Sequence, residues 1–144
     1  MRECRCTPQQ IGRYRERLSG PLRDRLDLTV EVPALPPDTL VATSAGEPSA
    51  AVRQRVVAAR DRQHQRFAGE GIRTNAELTP SLMLRHGALD KAGTRLLSTA
   101  VTRMSLSARG YDRVRKVART IADLAGSEGI EADHLAEALQ FRML

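Results

Sequence analysis

The side chains best suited to chemistry in this sequence are its arginines. Of the 23 basic residues, 21 are Arg and 2 are Lys, and the formal net charge is +6. The guanidinium group is planar, permanently charged and able to form two parallel hydrogen bonds with a carboxylate or a phosphate. The composition therefore favours phosphate or carboxylate partners. A high-GC coding bias, which favours Arg over Lys, would produce the same ratio without a functional cause.

Arg25 lies in a turn just before a predicted strand, a position from which its side chain can extend beyond its own domain. It follows the Gly20-Pro21-Leu22 turn and directly precedes segment 26–32, in which apolar and polar residues alternate. A turn at the mouth of a strand is well placed to project a guanidinium group across a subunit boundary, where it would stabilise charge on a transferring phosphoryl group. The alternative is a salt bridge to Asp24, Asp27 or another local carboxylate.

Arg109 lies in the first turn of a predicted helix that Ser107 opens. The N-terminus of a helix adds its own positive potential to that of the guanidinium group, so this turn favours an anion. Arg113 lies one turn further along the same face and is a candidate to share that anion or to hold Arg109 in place. A run of charge on one helix face is also typical of an ordinary solvated surface.

Cys4 and Cys6 are separated by one residue. This spacing is awkward for an intramolecular disulfide and is insufficient by itself for a tetrahedral zinc site. Two reduced thiols in a cytoplasmic protein are the simpler interpretation. The alternative is half of a four-ligand zinc site. His64, His86 and His134 are scattered and show no metal-ligand spacing.

Helical signals dominate the chain. Aromatic residues make up only 3% of it and Trp is absent, so the core must be built from Leu, Val, Ile and Ala, which suits packed helices. Thr7, Pro8 and Gln10 form a predicted capping box at the first helix. Capping residues and apolar spacing predict helices over 8–18, 49–69, 80–85 and 90–104, a helix opened by Ser107, and a helix over 132–141.

Segment 26–32 is the one convincing strand in the sequence. A single strand has no partner for its backbone hydrogen bonds, so we expect it to belong to a sheet formed by other residues. A Pro-rich linker follows it, up to residue 48. The sequence thus divides into residues 1–48, expected to be partly disordered in isolation, and residues 49–144, expected to form a helical domain.

Several strings of residues, in the same order over nearly the whole chain, resemble the magnesium-chelatase-like AAA+ ATPases of the ComM/YifB group. They include Arg5-Cys6-Thr7-Pro8, Ser19-Gly20-Pro21-Leu22, Ser107-Ala108-Arg109 and the run from Val117 to Leu124. The resemblance implies a mainly α fold, in which a helical AAA+ lid-type bundle follows the edge of the ATPase core. It also implies the C-terminal part of a hexameric ATPase that acts on DNA in branch migration and competence.

The same resemblance implies roles for particular residues. Arg25 matches the position of an arginine finger that acts on the nucleotide of a neighbouring subunit. Arg109 matches the sensor-2 arginine, which reaches from the lid to the γ-phosphate of the nucleotide bound to its own subunit, with Arg113 as a second nucleotide contact. Cys4 and Cys6 resemble the second half of a paired C-x-C arrangement, which makes zinc a possible ligand. ATP and Mg²⁺ are the cofactors that the family implies for the complete ATPase, and neighbouring subunits of a homo-hexamer are the implied partners.

Two other classes of function stay open at the level of sequence: a basic DNA-binding helical domain and an oligomerisation module. Residues 1–25 carry a charge balance of +4 and residues 103–119 one of +5, and such clusters attract phosphates. No sequence-reading motif or aromatic stacking array accompanies them. No apolar stretch approaches the ~20 residues that a membrane span needs, so we expect a cytoplasmic protein with no membrane partner.

We predict that the isolated chain binds ATP weakly or not at all and does not hydrolyse it. The sequence has no G-x-x-x-x-G-K-[ST] phosphate loop and no apolar strand that ends in magnesium-binding carboxylates. One or two arginines do not offset the cost of fixing the ligand. Isothermal titration calorimetry with Mg-ATP checks this prediction, and micromolar affinity would contradict it.

Overall fold

A computed structural model describes residues 5–37, 39 and 46–142. Within these ranges the chain forms seven α-helices and one short 3-10 turn. The helices are α1 (Pro8–Glu16), α2 (Gly20–Arg23), α3 (Ser49–Arg66), α4 (Pro80–His86), α5 (Lys91–Arg103), α6 (Ala108–Ala125) and α7 (Ala132–Gln140), and the 3-10 turn is Asn75–Glu77. The predicted mainly α fold is confirmed. None of the helices described is long and apolar enough to cross a membrane.

Local capping chemistry explains where the helices begin. The Thr7 hydroxyl accepts a hydrogen bond from the Gln10 amide at 3.3 Å, and the Gln10 side chain accepts one from the Thr7 amide at 2.8 Å, so the predicted capping box is confirmed. Thr79, Asp90 and Ser107 each accept a hydrogen bond from the third residue of the helix that follows. Side-chain chemistry within four residues therefore sets most of the predicted helix starts.

The main core lies between α5, α6 and α7. Its centre consists of fully buried side chains, among them Leu97, Val114, Ala118 and Leu135. Gly93 allows α5 to approach α7 closely, because a Cβ atom at this position would lie 3.0 Å from Cδ1 of Leu135. The core has few large aromatic side chains to fill space between helices, so the helices must pack closely. Small residues where the helices cross permit this.

A second, smaller core joins the end of α3 to α4. Phe67, Leu78, Leu82 and Met83 are its buried members. The ring of Phe67 meets that of His86 edge to face, with centroids 5.6 Å apart. This cluster orients the second half of α3 and leaves the first half of that helix exposed.

Segment 26–32 forms no β-ladder within the described residues, and the Thr29 amide donates a hydrogen bond to the Phe141 carbonyl at 3.0 Å. That this segment pairs with a sheet formed by other residues stays a prediction. One expectation from the sequence needs correction. Leu124, which the spacing of Val114, Val117 and Ile121 places on the buried stripe of α6, is 45% exposed, because Ala118 and Ala122 face the core in its place.

Truncating Leu135 to Ala is expected to lower the free energy of unfolding by about 2–5 kcal/mol. The side chain is completely buried at the contact between α5 and α7, so its removal leaves a cavity. Urea denaturation measures the change. Leu84→Ala is the matched control, because Leu84 is 73% exposed and its truncation should change stability by no more than about 0.5 kcal/mol. Equal effects of the two substitutions would contradict this description of the core.

Candidate functional site

The predicted sensor arginine lies at the open end of α6. Ser107 caps this helix of 18 residues, and Arg109 is exposed in its first turn. Within the described ranges the Arg109 guanidinium group makes no hydrogen bond or ion pair. Its charge and the N-terminal potential of the helix therefore remain directed to solvent.

Arg25 lies in the turn that closes α2, where its amide donates a hydrogen bond to the Leu22 carbonyl at 3.0 Å. Its side chain is exposed and has no ion-pair partner among the described residues. Asp24 lies 3.6 Å from a guanidinium nitrogen of Arg142, and Asp27 is paired with Arg113. Within the described residues, the local salt bridge that offered an alternative role for Arg25 is therefore not formed, and Asp24 and Asp27 pair with other arginines instead.

Two arginines of the helical domain attach the turn that carries Arg25. We call residues 24–29 the finger turn. Arg113, one helical turn beyond Arg109, forms an ion pair with Asp27. Arg142, after the end of α7, donates a hydrogen bond to the Leu26 carbonyl at 2.7 Å. The tertiary structure therefore attaches the turn that contains Arg25 to the helix that contains Arg109. It also gives Arg113 a carboxylate partner.

A buried ionic cluster holds α6 in place, and the sequence analysis did not identify it. The Asp123 carboxylate, which is fully buried, accepts hydrogen bonds from Arg66, Asn75 and Arg119. Arg66 donates two of these bonds, one of them at 2.8 Å. The Arg119 side chain is only 1% exposed and also donates hydrogen bonds to the carbonyls of Ser127 and Glu128, at 2.8 and 2.7 Å. The cluster thus joins α3, the 3-10 turn, α6 and the loop after α6.

The protonation of Asp123 follows from these contacts. Burial acts to raise the pKa of the carboxyl group, but hydrogen bonds from Arg66 and Asn75 and the charges of Arg119 and Arg66 outweigh it and hold the pKa below its ordinary value of 3.8. Burial lowers the pKa of Arg119, and the neighbouring Arg66 acts in the same direction, while Asp123 opposes the shift. Asp123 is therefore ionised at neutral pH, and its negative charge offsets part of the charge of two arginines.

The sequence contained a signal for this cluster. Arg119 and Asp123 are four residues apart in a run that is otherwise mostly apolar, a spacing that allows contact on one helix face. The third charged member, Arg66, is 57 residues from Asp123 along the chain. Only the tertiary structure shows that they meet, so the sequence did not distinguish a buried pair from an exposed one.

Of the two candidate metal ligands, the structure describes only Cys6. Cys6 is exposed, and Cys4 lies outside the described residues. In the part of the chain that the structure describes, no group of three or more His, Cys, Asp or Glu side chains is arranged to hold a metal ion. His86 contacts Glu70 at 3.3 Å, and the His134 ring accepts a hydrogen bond from the Glu131 amide at 3.0 Å, so both rings have structural contacts.

Comparison with known families matches both parts of this architecture. Residues 46–142 match the family described as magnesium chelatase, subunit ChlI C-terminal, and residues 1–40 match magnesium chelatase, subunit ChlI. The chain therefore belongs to the magnesium-chelatase family and, within it, is of the ComM/YifB type.

Three curated relatives define that similarity. The competence protein ComM of Haemophilus influenzae is 45% identical over 141 residues, which is 97% of this chain and 27% of the relative. The uncharacterized protein YifB of Escherichia coli is 43% identical over 141 residues, with the same coverage of both chains. An uncharacterized protein of Mycobacterium tuberculosis is 42% identical over 140 residues, or 97% of this chain and 28% of the relative. The chain thus spans little more than a quarter of the length of the relatives it matches.

Replacing Asp123 with Ala is expected to lower the free energy of unfolding by about 3–5 kcal/mol, because it leaves the buried charge of Arg119 without its carboxylate partner. Chemical denaturation at pH 7 measures the change. Asp112→Ala is the matched control, since Asp112 pairs with Lys116 on the partly exposed face of the same helix and should contribute at most about 1 kcal/mol.

The pH dependence gives a second measurement of the same cluster. Because the pKa of Asp123 is depressed in the folded state, its stabilising contribution is present above the ordinary value of 3.8 and is lost as the pH falls through the folded-state pKa. The difference in stability between wild type and Asp123→Ala should therefore shrink on acidification below pH ~4. A difference that is constant between pH 7 and pH 2 would contradict the role assigned to this carboxylate.

Proposed function

We propose that this chain supplies two arginines to the ATP-hydrolysing sites of a hexameric AAA+ ATPase, with Arg25 as a trans-acting finger and Arg109 as the sensor-2 residue. One observation carries the proposal. Both guanidinium groups are exposed and without an ion-pair partner in the described part of the chain, while the carboxylates beside Arg25 are paired with other arginines. Membership of the magnesium-chelatase family supports the same assignment.

Each arginine has a distinct chemical task in this proposal. Negative charge is spread over the oxygens of the γ-phosphoryl group as it is transferred, and a guanidinium group positioned beforehand stabilises that charge. Arg109 adds the helix N-terminal potential of α6 to its own charge. The phosphate loop and the magnesium-binding carboxylates belong to other parts of the ATPase, so ATP and Mg²⁺ bind chiefly outside this chain.

The contacts of Arg113 support a revision of the role that the resemblance implies for Arg109. In this proposal the two arginines serve one nucleotide, and not the nucleotides of two different subunits. Arg113 lies one turn beyond Arg109 on α6 and pairs with Asp27, two residues after Arg25. The turn that contains Arg25 and the first two turns of α6 are therefore neighbours in the structure. If Arg25 reaches the nucleotide of the neighbouring subunit, Arg109 is expected to reach that same nucleotide.

DNA contact, as part of the proposal, falls to the N-terminal segment. In the basic run 103–119, four of the six basic side chains already contact carboxylates or carbonyls of this chain: Arg113, Arg115, Lys116 and Arg119. By contrast, the arginines of α1 and α2 are exposed. A DNA-binding role for this chain is therefore assigned to exposed arginines in and beside these two helices, namely Arg13, Arg15, Arg17 and Arg23.

In the complete ATPase, Arg25→Ala is expected to reduce turnover on the order of 10³-fold, the effect typical of a lost arginine finger. Arg109→Ala should reduce it by ~10²-fold or more, as for loss of one donor to a developing anion.

Mixed hexamers show on which subunit's nucleotide each residue acts. Combining either variant with subunits that have an inactivated phosphate loop should restore some active interfaces, because the inactivated subunits still supply both arginines in trans.

The matched control is Arg95→Ala, since Arg95 is exposed on α5 and its side chain bonds only to a carbonyl of its own helix. This variant should turn over ATP at the wild-type rate, and all hexamers should be compared at equal assembly. Wild-type turnover by Arg25→Ala homo-hexamers would exclude the finger assignment. Rescue of Arg25→Ala without rescue of Arg109→Ala would show that the two arginines serve different nucleotides.

A further inference from the structure

Arg142 occupies an unusual position between the two proposed catalytic elements. It follows α7, and its side chain is only 10% exposed. One guanidinium nitrogen donates a hydrogen bond to the Leu26 carbonyl at 2.7 Å, and the other lies 3.6 Å from the Asp24 carboxylate. The fork of the guanidinium group therefore contacts both sides of Arg25 in the finger turn.

The same guanidinium group packs against the first turn of α6. Gly110 follows Arg109 directly and is buried, and a Cβ atom at this position would lie 3.1 Å from Nη2 of Arg142. The absence of a side chain at residue 110 thus leaves the space that the arginine fills. A cavity of about 270 Å³ beside it is lined by residues of the finger turn and of the α6 cap, including Asp24 and Ser107.

From this geometry we infer that Arg142 is a positioning residue that sets the finger turn against the first turn of α6, so that Arg25 and Arg109 are held in a fixed relation. The inference rests on the proposed function for its catalytic consequence. Lysine is a poor substitute, because an ammonium group is a single point of charge and does not bind a carbonyl and a carboxylate in the fixed geometry of a fork. Arg113 and its partner Asp27 form a second, more exposed attachment.

The attachment has a direct readout that needs no nucleotide. The Thr29 amide donates a hydrogen bond to the carbonyl of Phe141, the residue before Arg142. Its hydrogen exchange therefore reports whether the finger turn is docked. In Arg142→Ala we expect this amide to exchange at least ~10-fold faster than in wild type, while amides in the centre of α6 near Val114 keep their protection.

Turnover of the complete ATPase gives the second readout. A finger displaced by about 1 Å loses on the order of 10²-fold in rate, so Arg142→Ala should lower kcat by ~10- to 100-fold with little change in KM. Arg142→Lys should lie between wild type and Arg142→Ala in both readouts. Arg95→Ala serves as the control and should match wild type in both.

The outcomes separate this inference from the function on which it rests. Unchanged Thr29 exchange in Arg142→Ala would overturn the attachment itself. A second outcome is faster Thr29 exchange in Arg142→Ala with a kcat equal to that of Arg95→Ala. If Arg25→Ala inactivates the same ATPase, this outcome would overturn the positioning role and leave the proposed function standing. Wild-type turnover by Arg25→Ala would instead remove the proposed function, whatever the exchange measurement shows.

Discussion

The contact on which the helical domain depends is the one between the buried Asp123 carboxylate and its two arginine partners. Arg66 comes from α3 and Arg119 from α6, so a single negative charge fixes the crossing of the two helices. An ionised carboxylate in this position is tolerated because four hydrogen bonds satisfy its oxygens. Such a cluster adds little net stability compared with apolar packing, but removal of one partner is costly because it leaves a buried charge unpaired.

Through α6, the buried cluster also fixes the position of residues at the protein surface. The helix is anchored near its C-terminal end by Asp123 and Arg119, and its N-terminal turn carries Arg109. Between these ends, Val114 and Ala118 pack into the main core. Because a helix transmits position along its axis with little bending, the buried cluster and the core together determine where the first turn of α6 projects.

The finger turn is attached to that frame by contacts of a different kind. Arg113 and Arg142 bind it through Asp27, Asp24 and a backbone carbonyl, at sites that are partly open to solvent. Ion pairs of this exposure are individually weak. The finger turn is therefore positioned by several modest contacts, whereas α6 is positioned by a buried cluster and a core, and the two elements differ accordingly in how firmly they are held.

The sequence by itself determined the helical class, most helix starts and the resemblance to magnesium-chelatase-like ATPases. The reason is that a cap such as Thr7, Asp90 or Ser107 acts within four residues of its own position. Tertiary structure alone decided which arginines are engaged, and that the Thr29 amide meets the Phe141 carbonyl. Arg66 meets Asp123 across 57 residues, and Arg113 meets Asp27 across 86. Pairings at such separations depend on how the helices pack. A local pattern of charge therefore does not show whether a guanidinium group will pair with a distant carboxylate or will remain exposed, as that of Arg109 does.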